Sequence, residues 1–342
     1  MRSRSIPHRA PHPWPHALAD VAPDMCGDPS ERVDPARESA VARARGFLTF
    51  LAMTPAFASS FQLSLLFAHD AVRLDRRRRP HPGLAWATFM TITAFGCRMK
   101  RARGSRRLRR DGDGRTLYLC NHRAWSDFFV DVYLTEGRAF MMSRMLVAVV
   151  FPLFMVPAMA CGCVFGFNRS GGEKDKLNAA LDAHYAAYEG EFEGMVCYPE
   201  GTRNVREHSL PLKRGMLRYA HSRKMAVQVI CTGRKERVFS SHLMSAERGV
   251  ALPTYFSDVV LAEDHPDFED FYNKIRAEWD ESWSAVNGLS DAEVESLPDY
   301  VPRERLVRAT ATHDAVMLGG LVCLALGAAL VYRGGSRAFG LL

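Results

Sequence analysis

Asn121-His122-Arg123-Ala124-Trp125-Ser126-Asp127 sets a histidine and a carboxylate five positions apart, directly after a short apolar run. Tyr198-Pro199-Glu200-Gly201-Thr202-Arg203 ends a second apolar run with an acid, a glycine and an arginine. A histidine steadied by a carboxylate accepts protons, and a cation beside a tight turn holds an anion. Together they suit the transfer of a group onto a hydroxyl of an anionic molecule. On one straight helix, residues five apart point about 140° away from each other, at 3.6 residues per turn. His122 must therefore stand in the turn before a helix, with Asp127 in its first turn. Asp127 then accepts from one imidazole nitrogen and fixes the tautomer, while the other nitrogen takes a proton from an incoming hydroxyl. The plainer reading makes Asp127 a helix cap and His122 a loop residue.

The chain supplies its own control. His265-Pro266-Asp267-Phe268-Glu269-Asp270 has the same spacing, among the further acids Glu263 and Asp264 and with no strand ahead of it. That copy reads as a solvated loop. Thr116–Cys120, by contrast, is a short strand that delivers His122 to its end, where α/β sheets place their ligands. After the second apolar run, Gly201 lets the backbone turn tightly and approach a ligand. Arg203 can grip a phosphate through two parallel hydrogen bonds, and Thr202 either donates a hydroxyl or forms the turn. Lys213, with Arg214 beside it, offers a second cation, and Gly166-Phe167-Asn168-Arg169 offers Arg169 as a third. Each follows a predicted strand, so the three converge if those strands are neighbours.

At 342 residues with a net charge of +7, the chain holds one sizeable domain plus appendages, or two small domains. The positive charge is concentrated at Arg76–Arg79 and at Arg98–Arg110, where eight residues are Lys or Arg. Both runs flank apolar segments, which favours the anionic headgroups of a bilayer as partner over nucleic acid. The eight cysteines sit mostly inside apolar runs and form no C-x-x-C pair, so a zinc site or a disulfide framework is not expected. Cys161-Gly162-Cys163 reads as packing.

Residues 1–45 are rich in Pro, Arg, Ala and His without apolar periodicity, which predicts a disordered segment. Its first nineteen residues carry Arg but no acid, faintly like a transit peptide, and no signal-peptide apolar region follows the start. Residues 46–115 hold the uncharged stretch Phe47–Phe67, long enough to cross a bilayer, and the shorter Leu84–Cys97, with a turn at Pro80-His81-Pro82 between them. Leu84–Cys97 is too short to cross alone, which leaves a re-entrant, an interfacial or a buried core helix, and the pair suggests a membrane-associated helical hairpin with basic ends. Residues 116–298 change texture to strands alternating with helices, predicting a mixed, mainly parallel α/β sheet flanked by helices. Strands are expected at Thr116–Cys120, near Val164–Phe167, and at Met195–Tyr198, Val227–Thr232 and Phe256–Leu261. Helices are expected at Ser126–Gly137, Lys174–Glu193, Lys213–Arg223 and Phe268–Val286, and Phe140–Phe167 as broken helical pieces at the membrane face ahead of its strand. Residues 299–342 end in a predicted transmembrane helix, Ala315–Tyr332.

These blocks, in this order between about Thr116 and Thr232, resemble the glycerophospholipid acyltransferase family, in particular the 1-acylglycerol-3-phosphate acyltransferases. Asn121-His122 through Asp127 matches the family's H-x4-D block, Phe165 to Arg169 resembles its second block, Tyr198 to Arg203 its E-G-T-R block, and Leu212-Lys213 the lysine that follows. Val227 to Ile230 stands where the family has an apolar block usually containing proline, but position 228 is Gln. The resemblance implies acyl transfer from acyl-CoA to lysophosphatidic acid, giving phosphatidic acid, with His122 as base and Asp127 orienting it. It also implies that Arg203, Arg169 and Lys213 bind the acceptor's phosphate while Glu200, Gly201 and Thr202 shape the pocket. No metal or bound cofactor is implied, since acyl-CoA is a co-substrate. The implied setting is the endoplasmic reticulum membrane with the domain on the cytosolic face. Related enzymes acylating glycerol-3-phosphate or another lysophospholipid share these motifs, and a catalytically silent lipid-binding protein is the alternative of a different class.

Overall fold

The computed structural model describes residues 39–65, 82–109, 114–168, 174–241, 243–301 and, within 314–326, all but 316 and 324. Nearly all of the predicted disordered segment, the Arg76–Arg79 run, Pro80-His81 and Arg169 lie outside them. The expected span Ala315–Tyr332 falls only partly inside, its described residues being helical.

In chain order the elements are α1 (Ala40–Ser59), α2 (Phe61–Leu65) and α3 (Pro82–Thr88), the last continuing as a π-helical turn Phe89–Ala94, followed by strand β1 (Arg98–Arg101). Then come β2 (Thr116–Cys120), α4 (Asp127–Leu134), β3 (Ala139–Arg144), α5 (Met145–Val150), α6 (Pro152–Ala160), β4 (Val164–Phe167) and α7 (Lys174–Ala187). The rest are β5 (Gly194–Cys197), α8 (Arg214–Ser222), β6 (Ala226–Thr232), α9 (Lys235–Val238), β7 (Phe239–Ser240), β8 (Ser245–Ala246), β9 (Ala251–Leu261), α10 (Phe268–Val286) and α11 (Asp291–Ser296).

Seven strands form one sheet in the order β1-β9-β6-β2-β5-β3-β4. Every neighbouring pair is parallel except β6 and β9, which run antiparallel. The five strands β6, β2, β5, β3 and β4 therefore end on one edge, and each loop after a strand opens there. Side chains along β2 alternate between two cores, as a strand's period of two requires. Leu117 and Leu119 join Leu217, Phe271 and Trp279 on the face covered by α7, α8 and α10. Tyr118 and Cys120 join Phe57, Trp86, Phe129 and Phe154 on the face covered by α1, α3, α4 and α6. Along α10, buried Phe271, Ile275, Trp279 and Trp283 recur every fourth residue, and Asp267 caps its start by accepting from the N–H groups of Glu269 and Asp270.

Three expectations change. Phe140 belongs to β3, a strand between β5 and β4, and the broken helices α5 and α6 begin only after Arg144. A strand buried on both faces has the same unbroken apolar texture as a buried helix, so the run alone did not separate them. For Leu84–Cys97 the buried-core alternative fits the first part of the stretch: every residue of α3 is buried, and Trp86 packs on Phe57, Phe129 and Phe154. Of the two apolar stretches, Ala40–Leu65 is the one long and apolar enough to cross a membrane. It starts at Ala40, inside the segment expected to lack structure. The basic run is also partly paired. Arg98 pairs with Glu295 at 2.6 Å, Lys100 with Asp299 at 2.8 Å and Arg106 with Asp258 at 2.8 Å, so part of its charge is met inside the domain.

Candidate functional site

The edge where the parallel strands end carries a cleft of about 720 Å³, lined among others by His122, Tyr198, Gly201, Arg203 and Lys213. His122 lies in the loop after β2, and Asp127 is the first residue of α4, as the spacing required. Its Nδ1 stands 2.6 Å from Asp127 Oδ2, and 24% of the imidazole side chain remains exposed, against 1% of the carboxylate. The same Oδ2 also accepts from the N–H groups of Arg123, at 2.6 Å, and Ala124, at 3.1 Å, so the amides of the preceding loop and the ring share one oxygen. Asp127 thus ties down the loop before the helix and orients the ring at once; it is not the helix cap, since the N-cap of α4 is Ser126, which makes no side-chain cap bond. The Tyr198 ring stacks on the imidazole, 4.3 Å between centroids and 20° from parallel.

Below this pair lies a charge that the sequence reading did not single out. Lys235, from α9, is fully buried. Its Nζ donates to Asn121 O at 2.6 Å and to both Asp131 oxygens at 2.9 Å, and lies 3.3 Å from Asp127 Oδ1. The Tyr198 hydroxyl donates to Asp131 Oδ2 at 3.0 Å. Around the cluster, Asn121 exchanges two hydrogen bonds of 2.9 Å with the backbone of Thr232, tying the His122 loop to the end of β6. Ser126 Oγ donates to Lys235 O at 2.7 Å. Buried charges survive only when paired and hydrogen-bonded, and here each is.

Burial pushes the His122 imidazole below its usual 6.5, Asp127 pulls it back up, and Arg203 and Lys235 add to the push. Near pH 7 the ring is therefore mainly neutral, the form that accepts a proton. Burial alone would raise Asp127, but Lys235, the His122 ring and the Arg123 N–H hold it at about 2. Burial raises the Asp131 carboxyl and the neighbouring Asp127 charge adds to it, while Lys235, which donates to both its oxygens, and the Tyr198 hydroxyl favour the ionised form. Lys235 resists the neutralising pull of burial because both carboxylates face it, and it sits above its usual range.

The second block arrives from β5. Gly201 adopts a positive φ of 74°, where an L side chain would be strained. Glu200 is buried and faces away from the cleft: Oε1 accepts from Asn204 Nδ2 at 2.8 Å and from the Leu210 N–H at 2.5 Å. Its part is to hold the loop. Asn204 then joins this loop to the first one, its N–H donating to His122 O at 2.7 Å. Thr202 is exposed at the cleft, and Arg203 is half-buried there, donating to Ser241 Oγ at 2.8 Å. Lys213 is exposed, stands at the N-cap position of α8 and donates its N–H to Pro199 O at 2.7 Å, which keeps it beside the E-G-T-R turn. β4 ends at Phe167 in the cleft wall, two residues before Arg169. The cleft also has an apolar lining, with Trp125, Phe128, Leu146, Val147 and Phe151. Among the described residues no three His, Cys, Asp or Glu side chains are grouped to hold a metal.

Gln228, the departure from the family pattern, is fully buried in β6. Its amide donates to Arg107 O at 2.8 Å and Ser257 O at 3.0 Å, and its oxygen accepts from the Arg109 N–H at 2.8 Å. It staples residues 107–109 to the sheet, far from the cleft edge of β6.

The signals that sequence reading missed were weak for a physical reason. Lys235 and Asp131 are separated by 104 positions, and a buried lysine in K-E-R looks like solvated charge.

The family model Acyltransferase matches residues 100–232, which run from β1 to the end of β6. No curated protein matches the sequence. Among solved structures, the 1-acyl-sn-glycerophosphate (LPA) acyltransferase PlsC from Thermotoga maritima superposes with a TM-score of 0.51 at 13% identity, covering 69% of this chain and 92% of that one. At that identity the likeness speaks for the fold, and the family model speaks for the residues that carry the motifs. Residues 100–232 thus match the Acyltransferase family model, and the fold around them is similar to that of a solved lysophosphatidic acid acyltransferase.

Proposed function

We propose that this protein transfers the acyl group of acyl-CoA to the free hydroxyl of lysophosphatidic acid, forming phosphatidic acid at a membrane surface. The observation that carries the reading is the His122–Asp127 contact of 2.6 Å in a cleft lined both by cations, Arg203 and Lys213 among them, and by apolar side chains. With Nδ1 engaged by Asp127, His122 Nε2 takes the proton of the acceptor hydroxyl as its oxygen attacks the thioester carbonyl. Asp127 stabilises the imidazolium that forms. Collapse of the tetrahedral intermediate breaks the carbon–sulfur bond, and the departing CoA thiolate recovers the proton from His122. The acyl group passes directly between substrates, with no acyl-enzyme.

Arg203 and Lys213 bind the acceptor's phosphate, and Arg169, just past β4, is assigned there with them. Gly201 and Thr202 shape that end of the cleft, and Glu200 holds the turn in place. The apolar lining suits the acyl chain. Support for a lipid surface comes from apolar side chains left in the open: Leu48 is 64% exposed on α1, Val149 75% on α5, and Leu153 and Val156 58% on α6. We assign the protein to the endoplasmic reticulum membrane with the catalytic domain on the cytosolic side.

The test is purified protein in lipid vesicles, given radiolabelled acyl-CoA and a panel of lysophosphatidic acid, other lysophospholipids and glycerol-3-phosphate. Phosphatidic acid as the dominant product is expected. Preference for another acceptor overturns the assignment of lysophosphatidic acid, and no transfer to any acceptor overturns the enzyme reading.

A further inference from the structure

Asp127 has a problem that its distance to His122 does not reveal. Its other oxygen is 3.3 Å from a fully buried ammonium, Lys235. One carboxylate facing one ammonium is a neutral pair, and a neutral pair gives an imidazolium little to lean on. The buried cluster, however, contains a second carboxylate. Asp131 meets Lys235 through both oxygens at 2.9 Å, one helical turn after Asp127. Two carboxylates against one ammonium leave one negative charge over, and the edge of that cluster nearest solvent is the His122 ring.

We propose that Asp131 and Lys235 are positioning residues of this site: Lys235 fixes the Asp127 carboxylate beneath His122, and Asp131 restores the negative charge that Lys235 would otherwise cancel. The inference rests on reading His122 as the proton acceptor. When His122 takes a proton, the buried groups become two cations and two anions, so the transition state forms in a balanced cluster rather than a positive one. In a low-dielectric setting that balance matters far more than at the surface. Tyr198 links the two halves. Its hydroxyl donates to Asp131 at 3.0 Å and its ring lies flat against the imidazole at 4.3 Å, so the residue that steadies Asp131 also limits the tilt of His122.

The other charged or titratable groups facing this cluster are Arg203 across the cleft, Cys120 from β2, and, acting on Cys231 of β6, Glu200 and Arg123. Burial raises both thiols and keeps them neutral at ordinary pH. Arg123 is matched by Glu236, its NH2 group donating to Oε1 at 3.1 Å. These neighbours do not supply the missing negative charge.

Asp131→Asn tests the proposal, because it keeps the shape and an acceptor for Lys235 while removing the charge. The readout is the pH midpoint of His122, followed residue by residue through exchange of its ring C–H in the full-length protein by mass spectrometry, alongside the pH profile of kcat/KM. The midpoint is expected to move to lower pH and the acid limb of kcat/KM to follow it. The kcat at pH 7 is expected to drop roughly tenfold, the factor that one pKa unit represents, with the acceptor KM within about twofold. Tyr198→Phe, which keeps the stacked ring and drops only the hydroxyl, should shift His122 in the same direction by less. It decides the matter if Asp131→Asn does not fold. An unchanged His122 midpoint in the folded variants overturns the proposal, as does activity lost only in proportion to folded protein. A shifted midpoint in a protein whose wild type transfers no acyl group supports the charge arrangement and sinks the acyltransfer reading instead.

Discussion

His122–Asp127 and His265–Asp270 are the same short motif folded the same way. In both, the histidine stands in the turn before a helix, the aspartate lies in its first turn, and Nδ1 meets Oδ2 at 2.6 Å. Even the imidazoles are similarly covered, with 24% and 22% of the side chain exposed. The carboxylates differ: Asp127 is 1% exposed and Asp270 67%. Asp127 is pinned by two backbone N–H groups and a buried ammonium, and its histidine is stacked on Tyr198 in a cleft. His265 faces no such cleft residue; its nearest ring is Phe271, 6.4 Å away. The spacing alone makes the contact. What turns a contact into a reagent is the removal of the carboxylate from water, which makes the orientation rigid and the field at the ring strong.

The widest separation between the two motifs should appear on removing the imidazole. His122→Ala is expected to lower acyl transfer by about 10²–10⁴-fold, the usual worth of a positioned base, with membrane association retained. His265→Ala should stay within about twofold of the parent, measured as initial rates on the same vesicles. Next comes the anion side of the cleft, which the surface motif lacks. Arg203→Ala removes a charged hydrogen-bond donor worth about 1.5–3 kcal/mol, so the acceptor KM should rise by about 10–100-fold while kcat changes less. A steady-state KM equal to that of the parent would remove Arg203 from phosphate binding.

A smaller effect is the position of the acid limb. Burial lowers the His122 pKa, and only the neutral ring accepts a proton. Activity should therefore persist as pH falls past 6.5 and fail at a midpoint below it, in a kcat/KM profile recorded between pH 5 and 8. A midpoint above 6.5 would mean that the Asp127 field outweighs burial. The smallest catalytic change is expected at Gln228→Leu. It leaves the Arg109 N–H and two carbonyls without the amide partner, costing about 1–3 kcal/mol of stability in a denaturant titration, with turnover unchanged.

Much of this site was legible because its parts are local. The H-x4-D geometry follows from helix periodicity, and the boundaries of α10 follow from Asp267 and the apolar stripe after it. The convergence of three cation-bearing loops depended on strand order: Arg203 and Lys213 both follow β5, which β3 separates from β4, the strand ahead of Arg169, and Arg169 itself lies outside the described residues. The parts that escaped are those set by distant chain. Lys235 acquires its partners from residues more than a hundred positions away, so nothing near it distinguishes it from a solvated lysine. β1 was hidden because a basic run makes a poor strand signal, and only its ladder with β9 and its ion pairs explain it. Pro253 obscured the first half of β9 in the same way; it stands opposite Lys100 in the edge strand β1.

The most direct test is a paired substitution at the acids, Asp127→Asn beside Asp270→Asn, with acyl transfer to lysophosphatidic acid measured side by side. The account predicts a loss of at least about a hundredfold for Asp127→Asn, which cannot hold the imidazolium, and parent-like rates for Asp270→Asn. Equal rates in the two variants would contradict it, because the buried carboxylate would then be doing no more than the exposed one.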